Sequence, residues 1–181
     1  MQKIGVKTIV AIGIGTALFF LLARFVSIPV FANTNITFQY SVLSFFATLF
    51  GPIAGLLIGL IGHAFTDLSF GYGLWWSWII VSALIGCASG FVLKSSVVES
   101  GNFDQKAIIR FVCGVIVIHL VGWGLCAPVL DILIYAEPAD KVFVQGLIAG
   151  AANILTTAIV GTLLLFAYSK TRTQSDSLSK N

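Results

Sequence analysis

The sequence predicts an all-α membrane protein of six transmembrane helices with both termini in the cytoplasm. Three observations predict it. First, 58% of the 181 residues are hydrophobic and only 9% charged, and the mean hydropathy is +1.02. Soluble domains sit near ~45–50% apolar and ~25% charged. This balance excludes a soluble enzyme, a disordered tail and a nucleic-acid module, and leaves no length for a sizeable extramembrane domain. Second, charge-poor stretches recur at about the ~20 residues needed to cross hydrocarbon. Third, the basic residues collect on one side of the resulting topology.

Each element follows in order. Residues 8–26 form the first span. It is long for a signal-peptide core and ends at Arg24 rather than at small residues, so it is read as a permanent helix. Residues 27–37 are polar and contain Pro29. Their backbone would be unpaired in lipid, so they form a loop at the surface or lining a cavity. Residues 38–50 are a short second span, and Gly51-Pro52 is a tight turn. The third span covers 53–70 and is broken by Gly71-Tyr72-Gly73. The fourth covers 74–93, before a polar linker at 94–106. The fifth covers 107–130, before an acidic loop at 131–141 that contains Pro138. The sixth covers 142–168, and 169–181 is a polar tail. The chain is one integral membrane domain.

With six spans, one face carries Lys3, Lys7, Lys94, Lys106, Arg110, Lys170, Arg172 and Lys180, and the other only Arg24 and Lys141. Basic residues mark the cytoplasmic side. The formal charge of +3 is therefore a topology signal, not a nucleic-acid signal. The outer face holds Asp67, Asp131, Glu137 and Asp140. Cys87, Cys113 and Cys126 lie in apolar stretches without a CxxC pattern and read as small hydrophobes.

Glycines recur four apart: Gly51/Gly55/Gly59, Gly86/Gly90 and Gly146/Gly150. Small residues at that spacing share a helix face and let backbones approach, which predicts packing within the bundle. The first helix carries two offset pairs, Ala11/Gly15 and Gly13/Ala17. Their groove can pack internally or receive a helix from another protein.

Polar chemistry gathers in the outer half. His63 and Asp67 are four apart and share a face, as do His119 and Trp123. Gln39 opens the second span, Trp75, Trp76 and Trp78 open the fourth beside Tyr72, and Asn153 lies mid-sixth with Gln145 above it. Ionisable groups inside spans are costly and mark candidate sites. Each has a plainer reading: an interfacial tryptophan belt, which suits Trp78 best, a structural His63–Asp67 pair, or Asn153 as interhelical glue. Together they predict stacking on rings and hydrogen bonding to a polar edge. The ligand expected is small, flat, heteroaromatic and of little net charge.

Nothing in the sequence points to an enzyme, a cofactor or a metal site. The nearest approach to a phosphate loop, Gly90 to Ser95, lacks the GxxxxGK[ST] order, and HExxH, GxSxG and paired metal carboxylates are missing. The six spans carry no sign of inverted repeats. A solute can be bound within the membrane, while the power source lies elsewhere.

The run FGPIAGLLIGLIGHAFTD at residues 50–67 resembles a signature of energy-coupling-factor (ECF) transporter S components, the small six-helix substrate-capture subunits of bacterial vitamin importers. The resemblance extends from Lys7 to Tyr168. The stretches Lys7 to Gly15 and Trp75 to Trp78 look like one S-component subfamily associated with hydroxymethylpyrimidine, the thiamine precursor, or alternatively with pyridoxine. It implies a multi-pass protein of the bacterial plasma membrane. It also implies partners: a transmembrane coupling protein and two ATPase subunits, with a small heteroaromatic vitamin as substrate. Family members dock through an alanine-xxx-alanine motif on the first helix, for which Ala11, Gly13, Gly15 and Ala17 match in spacing with glycine for one alanine in each pair. The loop after the first helix caps the ligand in the family, and Asn33 and Asn35 would stand there. The motifs of thiamine and riboflavin S components are not found, so neither vitamin is assigned. The expected binding set is Asn33, Asn35, Gln39, His63, Asp67, Tyr72, Trp75, Trp76, His119, Trp123 and Asn153. Two readings of other classes stand beside this one: a ligand-free membrane scaffold, and an ion-coupled secondary transporter.

Overall fold

The computed structural model describes residues 5–31, 34–71 and 73–177, with side chains through Arg172. Helix α1 (Val6–Phe25) leads into a two-stranded antiparallel hairpin, β1 (Ser27–Phe31) and β2 (Thr34–Thr37), in which Ser27 pairs with Thr37 and Pro29 with Asn35. The segment expected as a loop thus satisfies its backbone by strand pairing. Then come α2 (Gln39–Phe50), α3 (Pro52–Phe70) and α4 (Trp76–Val92). A short α5 (Ser95–Glu99) interrupts the predicted polar linker. Helix α6 (Gln105–Val121) continues through a π-helical turn, Gly122–Cys126, into α7 (Ala127–Tyr135). Helix α8 (Ala139–Thr156) continues through a second π turn, Thr157–Gly161, into α9 (Thr162–Ser177).

The predicted acidic loop at 131–141 is a correction. The helix runs on through Asp131 to Tyr135 and stops at Ala136 in the left-handed region, so the true connection is three residues long. Asp131 is thereby a helical, buried residue, 2% exposed.

Among the described residues four helical rods are long and apolar enough to cross a membrane: Val6–Phe25, Pro52–Phe70, Gln105–Tyr135 and Ala139–Arg172. Helices α2 and α4 are shorter and apolar. Helix α2 has 12 residues, and almost every one is buried. At 1.5 Å per residue it spans about 18 Å, against about 30 Å of hydrocarbon. It can be short because its neighbours shield it from lipid, and space remains beyond its N-terminus.

The glycine ladder sets how tightly α3 and α4 cross. A Cβ on Gly55 would lie 2.1 Å from the Gly86 carbonyl oxygen, and one on Gly59 would lie 2.3 Å from that of Ser82. Gly90 abuts Pro52 in the same way. Gly51 (φ 90°) allows α2 to turn directly into α3, with Pro52 in the first helical turn where its missing N–H costs nothing. On the other side Gly146 meets the Trp123 carbonyl, seating α8 against the first π turn. The core binds these halves through Phe19, Tyr40, Leu43, Ile58, Ile85 and Trp123.

The two small-residue pairs of α1 separate. Ala11 and Gly15 are buried, and a Cβ on Gly15 would press within 2.6 Å of Ile58 Cδ1. Gly13 and Ala17 are exposed, and a Cβ on Gly13 meets nothing within 4 Å.

Candidate functional site

A cavity of about 530 Å³ opens at the end of the bundle where α3 stops and α4 and α8 begin. This lies within the ~300–1,000 Å³ usual for small-molecule sites. It fills the depth that the short α2 leaves free. Gln39 and Tyr40, the first residues of α2, form part of its floor, and the hairpin contributes Phe31, Thr34, Asn35 and Thr37. Helix α3 contributes His63, Thr66, Asp67 and Phe70. Trp75, Trp78 and Trp123 provide three indoles, and α8 adds Lys141, Gln145 and Asn153.

The polar groups form two systems. In the first, Asp67 Oδ2 accepts the Trp75 backbone N–H at 3.0 Å, and Oδ1 lies 3.5 Å from His63 Nε2. The opposite ring nitrogen, Nδ1, lies 2.5 Å from the Ser82 hydroxyl, which lies 2.7 Å from the Tyr40 hydroxyl. A carboxylate only accepts, so the His63 proton belongs on Nε2 and Nδ1 accepts from Ser82. Ser82 then accepts from Tyr40. This chain crosses from α3 through α4 to α2 and fixes all four side chains.

In the second system, Asp131 accepts from Trp75 Nε1 at 2.7 Å, from Trp78 Nε1 at 2.8 Å and from the Ser77 hydroxyl. One turn on, Tyr135 stacks on Trp75 at 4.1 Å between ring centroids, and its hydroxyl accepts the Trp76 backbone N–H at 2.8 Å. Trp78 leans on Trp123 at 4.9 Å. At the rim, Lys141 and Glu137 pair at 2.6 Å.

Among the described residues one buried acceptor in the cavity lacks a partner. Gln39, 8% exposed, has no hydrogen bond to its Oε1. A buried polar atom left unpaired costs about 1–3 kcal/mol, so its place in a cavity wall marks it for a ligand or water.

Of the residues singled out in the sequence, the structure brings together Asn35, Gln39, His63, Asp67, Trp75, Trp123 and Asn153 around the cavity. Two others stand elsewhere. Trp76 is 47% exposed and does not line the cavity, because two positions before Trp78 on α4 it sits about 200° around the helix from it. His119 is fully buried behind Trp123, whose Nε1 donates to its Nδ1 at 3.1 Å. Asn33 and Tyr72 lie outside the described residues. Sequence reasoning missed Tyr40, Trp78 and Asp131. Trp78 was recoverable, since a residue three after Trp75 shares its helix face. Tyr40 and Asp131 had no such signal. Among the described residues no group of three His, Cys, Asp or Glu side chains could hold a metal ion.

The fold matches two solved structures. It matches ThiT from Listeria monocytogenes with a TM-score of 0.67, at 18% identity over 93% of this chain and 96% of that one. It also matches the S component of a bacterial ECF transporter with a TM-score of 0.51, at 16% identity over 97% and 98%. In sequence, a UPF0397 protein of Lacticaseibacillus casei strain BL23 is 49% identical over 99% of this chain and 97% of its own length. A UPF0397 protein of Staphylococcus aureus strain MRSA252 is 48% identical over 99% and 98%. The family model described as "ECF-type riboflavin transporter, S component" matches residues 3–170. The chain belongs to this family of ECF transporter S components, and is a transporter subunit rather than an enzyme.

Proposed function

We propose that this chain is the substrate-capturing S component of an ATP-driven vitamin importer, and that its substrate is a small, flat heteroaromatic vitamin precursor, hydroxymethylpyrimidine. The observation that carries this reading is the cavity itself: three indoles and Tyr40 surround neutral amides, one of which, Gln39, holds an unpartnered acceptor. Indole faces stack a planar ring, and amides and carboxylates take its edge. An exocyclic amine suits Gln39 Oε1 or an uncommitted lone pair of Asp67. The charge of the walls supports a neutral or weakly basic ring. Lys141 is matched by Glu137, while Asp67 and Asp131 are met by N–H and O–H donors. No Lys or Arg is left over among the described lining residues to hold a carboxylate or phosphate.

In this reading six spans cross the plasma membrane with both termini in the cytoplasm, the shorter α2 and α4 completing the four long rods. The cavity faces outward beneath the hairpin. The loaded protein docks on a transmembrane coupling protein that carries two ATPase subunits, through the exposed Gly13/Ala17 stripe of α1.

Thermal stabilisation of the purified protein tests the substrate. A ligand that binds only the folded state adds RT ln(1 + [L]/Kd), about 2.7 kcal/mol at a hundredfold excess over Kd. The panel is hydroxymethylpyrimidine, pyridoxine, thiamine and riboflavin. A shift with hydroxymethylpyrimidine alone is expected. A shift with another vitamin transfers the same role to that ring. No shift in folded protein removes the binding role and leaves a scaffold, and uptake into vesicles without ATPase subunits would replace it by ion-coupled transport.

A further inference from the structure

We infer that Asp131 is the positioning residue of the cavity: it holds the Trp75 and Trp78 indoles as fixed walls. Three donors from the start of α4 and the residue before it converge on this carboxylate, two of them the indole N–H groups, the third the Ser77 hydroxyl. A buried carboxylate is retained only where hydrogen bonds replace its water. Here every described partner is a neutral donor from the same short stretch, residues 75–78. The carboxylate also faces the N-terminal end of α4, where the helix dipole favours negative charge.

Tyr135, four residues on, completes the grip. Its hydroxyl accepts the Trp76 backbone N–H, one of the donors that a helix start leaves unpaired, and its ring stacks on Trp75. An indole otherwise rotates about two side-chain torsions. Tied at Nε1 and packed on one face, it loses that freedom before any ligand arrives. Preorganised walls bind a flat ring without the entropy of ordering two side chains. Asp131 acts through the tryptophans, and its accepting capacity is largely committed to them.

The substitution Asp131→Asn keeps the shape of the side chain but leaves one acceptor oxygen, so the new NH₂ faces an indole N–H and one of the two Trp bonds is lost. The full chain is labelled with 5-fluorotryptophan, and its four tryptophan resonances are assigned by single Trp→Phe variants. Without ligand, ¹⁹F spectra of Asp131→Asn are expected to show the Trp75 or Trp78 signal broadened or split. With hydroxymethylpyrimidine as probe, the Kd is expected to rise at least tenfold at unchanged binding stoichiometry. Asp131→Glu keeps two acceptors on a longer arm and is expected to keep single, shifted signals with an intermediate Kd; it carries the test where the Asn variant does not fold. A purely structural residue would lower the thermal midpoint and the fraction of competent protein, yet leave sharp signals and an unchanged Kd. That pattern overturns the inference. The ligand arm rests on the proposed function, but the spectra do not. A wild-type protein that binds no vitamin defeats the functional reading, and the ligand-free spectra still decide the role of Asp131.

Discussion

The two small-residue pairs of α1 make opposite predictions. Gly15 faces inward: an added Cβ would lie 2.6 Å from Ile58 Cδ1 and 3.2 Å from Phe46 Cγ. Ile58 is fully buried and Phe46 is 8% exposed, so neither has open space to retreat into. Extra methyl groups in such a core cost about 1–3 kcal/mol. Gly15→Ala should therefore lower the thermal midpoint of the isolated protein. Gly13 faces outward, between Val10 and Ile14, which are 53% and 51% exposed, and an added Cβ meets nothing within 4 Å. Gly13→Leu should leave the isolated fold and its ligand affinity intact. Against a partner helix the same side chain forces the backbones apart where close approach is the source of attraction. Docking should weaken at least tenfold, about 1.4 kcal/mol. The assay pairs thermal unfolding of each variant with titration of the proposed coupling protein and ATPases in nanodiscs. The reasoning fails if Gly13→Leu docks like the wild type, or if Gly15→Ala loses docking with its fold unharmed.

Three further outcomes are expected. Gln39→Leu removes a buried acceptor without a partner, so the ligand-free protein should unfold at the same or a higher temperature while its Kd for the vitamin rises; a lowered midpoint would show that Gln39 is already satisfied. Gly55→Ala places a Cβ 2.1 Å from a backbone oxygen rather than a flexible side chain, so it should destabilise the fold by more than Gly15→Ala in the same thermal assay. Tyr40→Phe removes the hydroxyl that bonds Ser82 at 2.7 Å and should cost about 1 kcal/mol in chemical or thermal unfolding; an unchanged midpoint would mean that the His63–Ser82 contact alone holds the chain of bonds.

Much of the scaffold was legible because lipid imposes simple rules. Long apolar runs mark the helical rods, and glycines four apart mark the seam at which α3 and α4 touch. His63 and Asp67 could be paired from spacing alone, since four residues return a helix to the same face. Asp131 could not be found that way. An aspartate after an apolar run reads as the start of a loop, and hydropathy does not distinguish it from a carboxylate tied down by three neutral donors. Those donors sit more than fifty positions away in the chain. The two π turns were equally hidden, because a wider backbone turn leaves no composition signal, although one of them carries Trp123 into the cavity wall. The hairpin was missed for a different reason: its burial pattern lacks a clear alternation of buried and exposed residues, so period-two patterning had nothing to report.

The depth of the cavity follows from the length of one helix. Helix α2 spans about 18 Å, against about 30 Å for a helix that crosses hydrocarbon by itself. A lipid-facing helix could not stop there, because its terminal backbone groups would lie unpaired in hydrocarbon. Helix α2 can, because α1, α3, α4 and the second π turn pack around it and the hairpin roofs the space above. The vacated depth is lined by the hairpin and the ends of α3 and α4 together with inner positions such as His63, Trp123 and Asn153, and element ends are places where polar side chains and unpaired N–H groups occur naturally. Asp67 takes the Trp75 N–H there, and Tyr135 takes that of Trp76. The same shortness that creates the site therefore supplies its polar walls. Adding one turn to the N-terminus of α2, about 5.4 Å of helix, would push into the cavity and displace Gln39 and the Thr37 end of the hairpin, which line it.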